Sequence, residues 1–337
     1  MPGIAIVGGG SIGCHVGARL AGAGATVTLV GRPRVLDEIR AHGLAWSDLR
    51  GGQGWVDAAA VTLAEGMAAA AAAALVLVTV KSADSAEVAR ALQPVLAPGA
   101  VVLSLQNGLR NLPALRAGLP GHKVLAGMVP FNVVARGQGL FHQATAGALD
   151  AEDDLALHPW QAAFASAGLP LALHADMSAV QWAKLLLNLN NAVNALSGLP
   201  LKAQLAQRDW RRCMALAQAE ALALLGQTGQ PLARVTPLPP GWLPGLLRLP
   251  DALFLRLAQR MLAMDPLARS SMADDLARGR PSEVDDLNGE VVRLAQRLGR
   301  QAPVNQTLVR LMHEAQAGGR REWTAPDLLA ALRKSMA

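Results

Sequence analysis

One apolar stretch of the chain carries polar side chains that could do chemistry on a small ligand. The run from Val180 to Gly198 has the composition of a buried helix, yet it contains Lys184, Asn188 and Asn191. At about 100° per residue these three side chains fall within one narrow arc. A solvated face is one interpretation. However, the arc offers one cation and two amides, which favours a stripe that lines a cleft for a polar ligand with one anionic or carbonyl group.

A second group of polar residues lies between positions 269 and 292. Its hydroxyl and charged side chains include Ser270, Ser271, Asp274, Asp275, Arg278, Glu283, Asp285 and Asp286. Apolar residues recur at helical spacing from Val284 to Leu298, and Ser282 is suited to cap the predicted helix. Acidic residues are common in the first turn of a helix because of its dipole. Spacing alone therefore assigns no chemical role to Glu283.

The start of the chain predicts a nucleotide-binding loop. Gly8, Gly10 and Gly13 form G-x-G-x-x-G in the stretch GGGSIG, directly after an apolar run and before a predicted helix and second strand. In that context the fingerprint is specific. Gly8 permits a tight turn, Gly10 lets backbone N–H groups approach a pyrophosphate, and Gly13 allows close packing of helix on strand. Ser11 and Ile12 complete the predicted cofactor loop; a glycine-rich turn without a ligand is the alternative.

The end of the second strand favours NADP(H) over NAD(H). An NAD site has an acidic residue about twenty residues beyond the glycines, where it binds the ribose 2′-OH. Here the local sequence is VGRPR, with Arg32 at that place and Arg34 close behind. An arginine is suited to pair with a 2′-phosphate, although an ordinary surface arginine is the alternative.

Two further polar residues follow predicted strands. Lys81 ends the run LVLVTVK, and Asn107 is the next-to-last residue of the run AVVLSLQNG. In open α/β sheets the ligand crevice lies outside the carboxyl ends of the strands. Lys81 is therefore predicted to contact phosphate or a carboxylate, and Asn107 to contact the nicotinamide or a substrate oxygen. Each has an ordinary role as a loop residue as its alternative.

The elements that must position these residues change character near Asp176. Before it, short apolar runs alternate with helical segments, which is the βαβ pattern of a parallel sheet covered on both faces. After it, helical periodicities dominate, interrupted by a proline-rich segment at 231–250. An apolar helix is predicted around 251–264. The predicted fold class is α/β, an N-terminal Rossmann-like doubly wound sheet followed by an all-α C-terminal domain. The predicted boundaries are 1–176 for NADP binding and 177–337 for the helical substrate and catalytic domain.

Composition narrows the classes of function. The chain has 337 residues and a formal net charge of +6, but its basic residues are scattered and aromatics make up only 3%. Nucleic-acid binding is disfavoured, and a basic pocket for a small phosphorylated ligand fits better. Cys14 and Cys213 have no metal or redox spacing, which indicates a reducing cytoplasm and no metal site. The apolar run from Met67 to Val80 is shorter than the ~20 residues of a membrane-spanning helix.

Taken in chain order, these motifs resemble those of ketopantoate reductases (2-dehydropantoate 2-reductases). The matching pieces are GGGSIG, VGR, VTVKS, QNG, WAKLLLN and SSMADDLARGRPSEVDDLNG. The resemblance covers nearly the whole chain, and its last two pieces are the specific ones. It implies a Rossmann domain and a helical domain with NADPH and a 2-oxo acid in the cleft between them. It also implies a homodimer.

The resemblance also implies roles for individual residues. Lys184 matches the catalytic lysine of the family and Glu283 its active-site glutamate. Asn188 matches a substrate asparagine and Ser271 a substrate serine, whereas Asn191 matches a further substrate asparagine only if one residue is deleted. The matching cofactor contacts are Arg32, Lys81 and Asn107. The predicted substrate contacts are Asn107, Lys184, Asn188, Asn191 and Ser271.

The chain also departs from the family pattern. Ala192, Leu201 and Ala268 stand where the resemblance places substrate asparagines, and Asn191 is one residue out of register. The segment 231–262 is longer than expected.

Three hypotheses follow. The first is NADPH-dependent reduction of ketopantoate to pantoate, by hydride transfer with Lys184 as general acid. The second keeps the fold and reduces another oxo acid, a keto compound or an imine. The third is a regulator that senses NADP(H) without catalysis, since fold does not determine function.

Overall fold

A computed structural model describes residues 2–259, 262 and 264–336. The chain divides into two compact units, Met1–Met177 and Ser178–Ala337. The first is a mixed α/β unit, and all regular elements described in the second are helices. The predicted fold class is confirmed. Among the described residues, no helix has the length and apolar character needed to cross a membrane.

The first unit contains twelve strands in the described part of the chain. They are β1 (Gly3–Val7), β2 (Val27–Val30), β3 (Leu44–Asp48), β4 (Gln53–Val56), β5 (Val61–Ala64), β6 (Ala73–Val78), β7 (Val101–Ser104), β8 (Lys123–Met128), β9 (Val133–Gly137), β10 (Leu140–Gln143), β11 (Leu149–Glu152) and β12 (Leu171–His174). The apolar runs identified in the sequence correspond to β1, β2, β6, β7 and β8. The polar or very short strands of the remainder were not predicted.

Fifteen α-helices are described. They are α1 (Ser11–Gly22), α2 (Pro33–His42), α3 (Ser85–Leu92), α4 (Asn111–Gly118), α5 (Gln161–Ser166), α6 (Met177–Asn188), α7 (Asn190–Ser197), α8 (Leu201–Leu205), α9 (Arg208–Thr228), α10 (Leu243–Leu247), α11 (Asp251–Leu257), α12 (Ser271–Ala277), α13 (Asn288–Arg297), α14 (Pro303–Gln316) and α15 (Ala325–Lys334).

The main sheet has the strand order β12-β11-β8-β7-β6-β1-β2-β5. From β5 to β8 all pairings are parallel, and β11 joins β8 in the antiparallel direction. The chain therefore leaves β1 toward β2 on one side and later returns to β6 on the other, so the strand order reverses at β1. A smaller sheet, β4-β3-β10-β9, completes the unit.

Hydrophobic side chains cover both faces of the main sheet. Ile4 and Ile6 of β1 pack with α1 and α2 on one face, whereas Ala5 and Val7 pack with α3 and α4 on the other. Successive residues of a strand point to opposite faces. A strand buried on both faces must therefore be apolar at every position, as β1 is.

The proline-rich segment of the second unit is ordered against α9. Arg211 of α9 is fully buried, and its guanidinium donates hydrogen bonds to the carbonyl oxygens of Leu205, Leu247 and Leu249. It also pairs with Asp251 at 2.8 Å. A buried guanidinium needs its donors satisfied. Arg211 thus holds the segment around α10 and α11 against the long helix.

Two predicted helices differ from the structure. The stretch Val180–Gly198 is divided between α6 and α7 at Leu189. Gln218 donates to the carbonyl oxygen of Leu186, which is the acceptor of residue 190 in a regular helix, and such a side-chain insertion interrupts helices. The predicted apolar helix at 251–264 is also shorter, since α11 ends at Leu257; residues 260, 261 and 263 lie outside the described part.

Candidate active site

Four neighbouring parallel strands of the first unit end at the same level. Val7 of β1 is aligned with Val30 of β2 and Val78 of β6, and Val78 is aligned with Ser104 of β7. The residues that follow these strand ends include all the predicted cofactor contacts. The topology therefore brings the glycine loop, Arg32, Lys81 and Asn107 to one edge of the sheet, where the strand order reverses. Ligands of such sheets bind at that edge.

The glycine loop is closed at its two ends. Gly8 has φ +123°, and a Cβ there would lie 2.7 Å from the nitrogen of Val80. A Cβ at Gly13 would lie 2.1 Å from the carbonyl oxygen of Gly8. Thr79, which was not among the predicted site residues, donates a hydrogen bond of 2.8 Å to that same oxygen. The loop is thus pressed between α1 and the end of β6, where only glycine fits.

The middle of the loop is open. Gly10 is exposed, and a Cβ there would meet no atom of the described structure within 4 Å. Gly10 is the N-cap of α1 and has no side chain to bond the first N–H groups of the helix. Ser11 is half-buried, and Ile12 packs its side chain against the core, so Ile12 can offer only its backbone. These residues fit a pyrophosphate, which helix N-termini bind through free N–H groups.

Arg32 lies beside this loop. It is an exposed residue that follows β2 and is the N-cap of α2. The loop after β2 touches the glycine loop, because a Cβ at Gly9 would lie 3.1 Å from the Cα of Gly31. Gly9 and Gly31 were not singled out in the sequence, although both belong to its glycine-rich stretches. Because Arg32 directly follows Gly31 in the chain, this contact places the backbone of Arg32 next to the glycine loop.

Lys81 and Asn107 lie in two loops that are bonded to each other. Both side chains are half-buried. The hydroxyl of Ser82 donates to the carbonyl oxygen of Asn107 at 3.1 Å, and the amide of Gln106 donates to the carbonyl oxygen of Val80 at 3.0 Å. The structure therefore brings these two predicted residues into one local assembly.

In the second unit the predicted residues lie on α6, α7 and α12. Lys184 is half-buried and Asn188 is buried on α6, and Asn191 is half-buried on α7. Ser271 is exposed and is the first residue of α12. Its neighbour Ser270 donates to the carbonyl oxygen of Asn191 at 3.2 Å and caps α12 by accepting from Ala273. Ser270 therefore holds Ser271 close to Asn191.

Two other asparagines of the stretch Val180–Gly198 have a structural role. Asn190 and Gln204 exchange side-chain hydrogen bonds, and Asn194 also donates to the Gln204 oxygen, at 3.1 Å. The oxygen of Asn194 accepts from the backbone N–H of Ser270 at 2.9 Å. All four residues are buried. A signal was present in the sequence, since at helical spacing Asn190 and Asn194 lie about 120° and about 80° around the helix from Lys184.

Glu283 is not at the start of a helix. The predicted cap is wrong: α13 begins at Asn288, and the hydroxyl of Ser282 bonds the side chain of Gln316 at 3.1 Å. Glu283 is half-buried in a turn, where its carbonyl oxygen accepts from the N–H groups of Asp286 and Leu287. This extra turn moves the carboxylate away from the end of α13.

The three alanine and leucine positions that depart from the family pattern are apolar in their surroundings as well. Ala192, Leu201 and Ala268 are all buried. The N–H of Leu201 donates to the carbonyl oxygen of Ala268 at 2.8 Å, so these two positions are adjacent.

Burial affects several titratable groups in the two units. It raises the pKa of Asp274 on α12, partly offset by Arg278 and Arg269. It lowers the pKa of His15 on α1 to about 4. Burial raises the pKa of the Cys14 thiol, and it raises that of Cys213 to about 12. Within the described residues, no three His, Cys, Asp or Glu side chains are grouped so that they could hold a metal ion.

Comparisons with known proteins agree over most of the chain. The model of the family described as ketopantoate reductase PanE/ApbA matches residues 4–153, and that of its C-terminal part matches residues 176–316. The 2-dehydropantoate 2-reductase of Halobacterium salinarum is 29% identical over 323 residues, which cover 94% of this chain and 99% of the relative.

Solved structures show the same similarity. A PanE/ApbA family ketopantoate reductase from Ralstonia eutropha is 33% identical, with a TM-score of 0.78, covering 94% of this chain and 98% of the other. D-Mandelate dehydrogenase, solved with NADH and anilino(oxo)acetate, has a TM-score of 0.76 at 18% identity and covers 94% of this chain and 98% of its own. At that identity the similarity shows the fold alone.

Proposed function

The chain belongs to the ketopantoate reductase PanE/ApbA family, and we propose that it reduces 2-dehydropantoate to pantoate with NADPH. It is an oxidoreductase that acts on a CH–OH or keto group. The observation that carries the proposal is the glycine loop, which is closed at Gly8 and Gly13 and open at Gly10. That shape leaves room for a pyrophosphate where a side chain would otherwise stand.

Arg32 is the basis for proposing NADPH in place of NADH. It is exposed beside the glycine loop, at the end of the strand where an NAD site has an acidic residue. Its guanidinium can bind a 2′-phosphate through two parallel hydrogen bonds. Lys81 and Asn107, at the ends of the next two strands, are the proposed contacts for the rest of the cofactor.

Lys184 is the proposed general acid. Bound NADPH supplies the hydride, and negative charge develops on the substrate carbonyl oxygen as the carbon is reduced. A group that donates a proton to this oxygen lowers the barrier. Lys184 is a half-buried side chain of α6, and a lysine ammonium group can donate a proton. We propose that Glu283, also half-buried, holds a substrate hydroxyl.

The remaining proposed substrate contacts are amides and a hydroxyl. Asn188 lies one helical turn after Lys184, and Ser270 ties Asn191 to the start of α12, where Ser271 is exposed. Amide N–H groups and hydroxyls can donate to a carboxylate or a carbonyl oxygen. Together they would read the polar groups of a small oxo acid.

Steady-state oxidation of NADPH tests this function. The critical pair of substrates is ketopantoate and 3,3-dimethyl-2-oxobutanoate, which lacks only the hydroxyl group. We expect a micromolar KM for ketopantoate and a kcat/KM at least about tenfold lower for the analogue, since a buried polar contact is then left unmatched. Equal values for the two, or a preference for the analogue, would disprove ketopantoate as the substrate.

A second candidate is reduction of a different oxo acid by the same chemistry. Its support is the buried apolar character of Ala192, Leu201 and Ala268, at positions where the family resemblance places amides. A substrate without a second polar group would suit such surroundings. Preference for the analogue in the experiment above would favour this candidate, while NADPH binding without reduction of any oxo acid would favour the sensor.

The predicted homodimer and cytoplasmic location stay predictions. Leu253, Leu255 and Leu257 of α11 are exposed, whereas Phe254 on the same helix is buried. Exposed apolar side chains that lie together are common at subunit contacts. Both cysteines are free and buried, which suits a reducing compartment.

A further inference from the structure

The loops that carry Lys81 and Asn107 are joined by a network of neutral polar side chains. We call residues 79–84 the Lys81 loop and residues 105–110 the Asn107 loop. They are adjacent because β6 and β7 pair in parallel, with Val78 aligned to Ser104. Backbone pairing ends at this level, with the N–H of Leu105 bonded to the carbonyl oxygen of Val78. Beyond it, side chains must connect the loops.

Asn111, the first residue of α4, is the centre of the network. Its amide nitrogen donates to the hydroxyl of Ser82 at 3.2 Å and to the carbonyl oxygen of Asn107. Its side-chain oxygen accepts from the hydroxyl of Ser85 at 2.8 Å. The hydroxyl of Ser82 also donates to the carbonyl oxygen of Asn107. Two donors therefore fix the peptide group from which the Asn107 side chain departs.

Gln106 closes the network from the other loop. Its amide nitrogen donates to the carbonyl oxygen of Val80 at 3.0 Å and to the hydroxyl of Ser85 at 2.8 Å. Its side-chain oxygen accepts from Ser104 at 3.0 Å. Both N–H donors of this amide are used, as are both of Asn111. A flipped Asn111 amide would place its oxygen against the carbonyl oxygen of Asn107, and a flipped Gln106 amide would place its oxygen against that of Val80. Each amide therefore has one orientation.

The position of the network separates it from ordinary core packing. Ser85, Ser104, Gln106 and Asn111 are all buried, and none of them carries a charge. Buried polar networks rigidify a structure when every member is satisfied. Here the network ends at the peptide groups of Val80 and Asn107. Val80 directly precedes Lys81, and Asn107 is itself a proposed cofactor contact.

We infer that this network holds the Lys81 loop and the Asn107 loop in one fixed arrangement for cofactor binding. Its positioning residues are Ser82, Ser85, Gln106 and Asn111. The inference rests on the proposed cofactor site, because it gives a reason for fixing these loops. The network acts through the backbone of Val80 and Asn107, and its own residues need not touch the cofactor.

Asn111→Asp tests the inference most directly. The substituted side chain keeps its shape, loses both N–H donors and sets an oxygen against the carbonyl oxygen of Asn107. We expect the Kd for NADPH, measured by fluorescence, to rise about tenfold, in line with the loss of a buried hydrogen bond or two. A further drop in kcat of about tenfold is expected because misplaced reacting groups lose rate steeply.

Leu115→Ala is the matched control on the same helix. Leu115 is buried in the core beneath α4 and makes no hydrogen bond to either loop through its side chain. This substitution should lower the unfolding temperature at least as much as Asn111→Asp, while the Kd for NADPH stays within about twofold of the wild-type value. An equal rise in Kd for both variants would overturn the inference, because destabilisation alone would then explain the effect.

Ser82→Ala and Ser82→Thr provide a second, milder pair. Removing the hydroxyl should raise the Kd for NADPH about threefold, and Ser82→Thr, which keeps the hydroxyl, should restore it. If Asn111→Asp does not fold, this pair decides alone: a Kd within twofold of wild type for Ser82→Ala overturns the inference. The Kd measurements remain valid even when no oxo acid is reduced, so failure of the proposed substrate is distinguishable. Wild-type protein that bound neither NADPH nor NADH would overturn both.

Discussion

The two units hold their polar residues in different ways. In the first unit, glycines, Arg32, Lys81 and Asn107 follow strands that end at one level, so the sheet itself gathers them at an edge. In the second unit, polar residues of α6 and α7 are divided between a stripe with Lys184 and a buried network with Asn190 and Asn194.

The two units thus differ in what places a polar side chain at a ligand site: sheet topology in the first unit, and the angle around a helix together with its packing in the second. A residue at the end of a parallel strand faces the ligand edge because of topology. An asparagine on a helix is placed by its angle, and whether that angle faces a ligand or a neighbouring helix depends on packing. Substitutions at open loop positions of the first unit should therefore affect ligand binding and leave the stability unchanged. In the second unit, the effect of a substitution should differ from one asparagine to the next.

The largest effect is expected from the stripe of the second unit. Lys184→Ala removes the proposed proton donor, and kcat should fall by about 10²–10⁴ with little change in the Kd for NADPH. Lys202→Ala is the control, since Lys202 is an exposed lysine of α8 in the same unit. For both variants, steady-state assays measure kcat and stopped-flow binding experiments measure the Kd for NADPH. A Lys184→Ala enzyme with wild-type kcat would remove the stripe from the chemistry.

The glycine loop tests the first unit. In Gly13→Ala the new Cβ would lie 2.1 Å from the carbonyl oxygen of Gly8, and the free energy of unfolding should fall by about 3 kcal/mol. Gly10→Ala meets no protein atom within 4 Å, so its stability should be unchanged. Its methyl group would occupy the proposed pyrophosphate site, and the Kd for NADPH should rise roughly tenfold.

Gly22→Ala is the control for both glycine variants. It lies in the last turn of α1, where a Cβ would make an ordinary contact of 3.5 Å with Val56. Alanine is the better helix former there. Its unfolding temperature should equal or slightly exceed that of the wild type, and its Kd for NADPH, measured by titration, should be unchanged. Equal losses of affinity in Gly10→Ala and Gly22→Ala would contradict a ligand site at Gly10.

Arg32→Ala tests the preference of the first unit for NADPH over NADH. Loss of a charge-assisted contact with the 2′-phosphate is worth about 1.5–3 kcal/mol, so the Kd for NADPH should rise roughly 10–100-fold. The Kd for NADH should change by less than about twofold. Arg40→Ala, at the other end of α2, is the control, because Arg40 is exposed and pairs with Asp37. Parallel losses for both nucleotides would refute the assignment of Arg32.

The smallest effects distinguish two asparagines of α7. Asn194→Ala leaves the N–H of Ser270 and the carbonyl oxygen of Leu199 without their buried partner, so the free energy of unfolding should fall by roughly 2 kcal/mol. Asn191 is bonded to Ser270 through its backbone, which Asn191→Ala preserves. This variant should keep its stability and raise KM for the oxo acid about fivefold. Denaturation and kinetics that gave the reverse pattern would exchange their roles.

Much of the fold could be predicted because the central strands are almost entirely apolar. β1, β6 and β7 are covered on both faces, so their side chains are apolar at nearly every position, and Ser104 at the end of β7 is the exception. The strands of the smaller sheet are partly exposed, and Trp55 of β4 projects to solvent. Such strands have no continuous apolar run, and their pairing, including the parallel pairing of β10 with β3, depends on distant segments.

The candidate site was predictable to a different degree in each unit. Strand-end residues were found from chain order alone. The contact of Gly9 with Gly31 and the insertion of Gln218 at the carbonyl of Leu186 depend on packing between distant elements, which spacing does not record. The helix expected at Ser282 failed for a related reason. Its apolar spacing continues through the turn at 284–287, although the backbone of Leu287 leaves the helical conformation.

The two buried cysteines have a practical consequence. Labelling reagents react with thiolates, and burial raises the pKa of both Cys14 and Cys213. These are the only two cysteines of the chain. A cysteine introduced at exposed Ala91 in the first unit, or at exposed Ala330 in the second, would therefore react first, without removal of a native thiol. A dye pair at these positions would report the separation of the two units as NADPH is added.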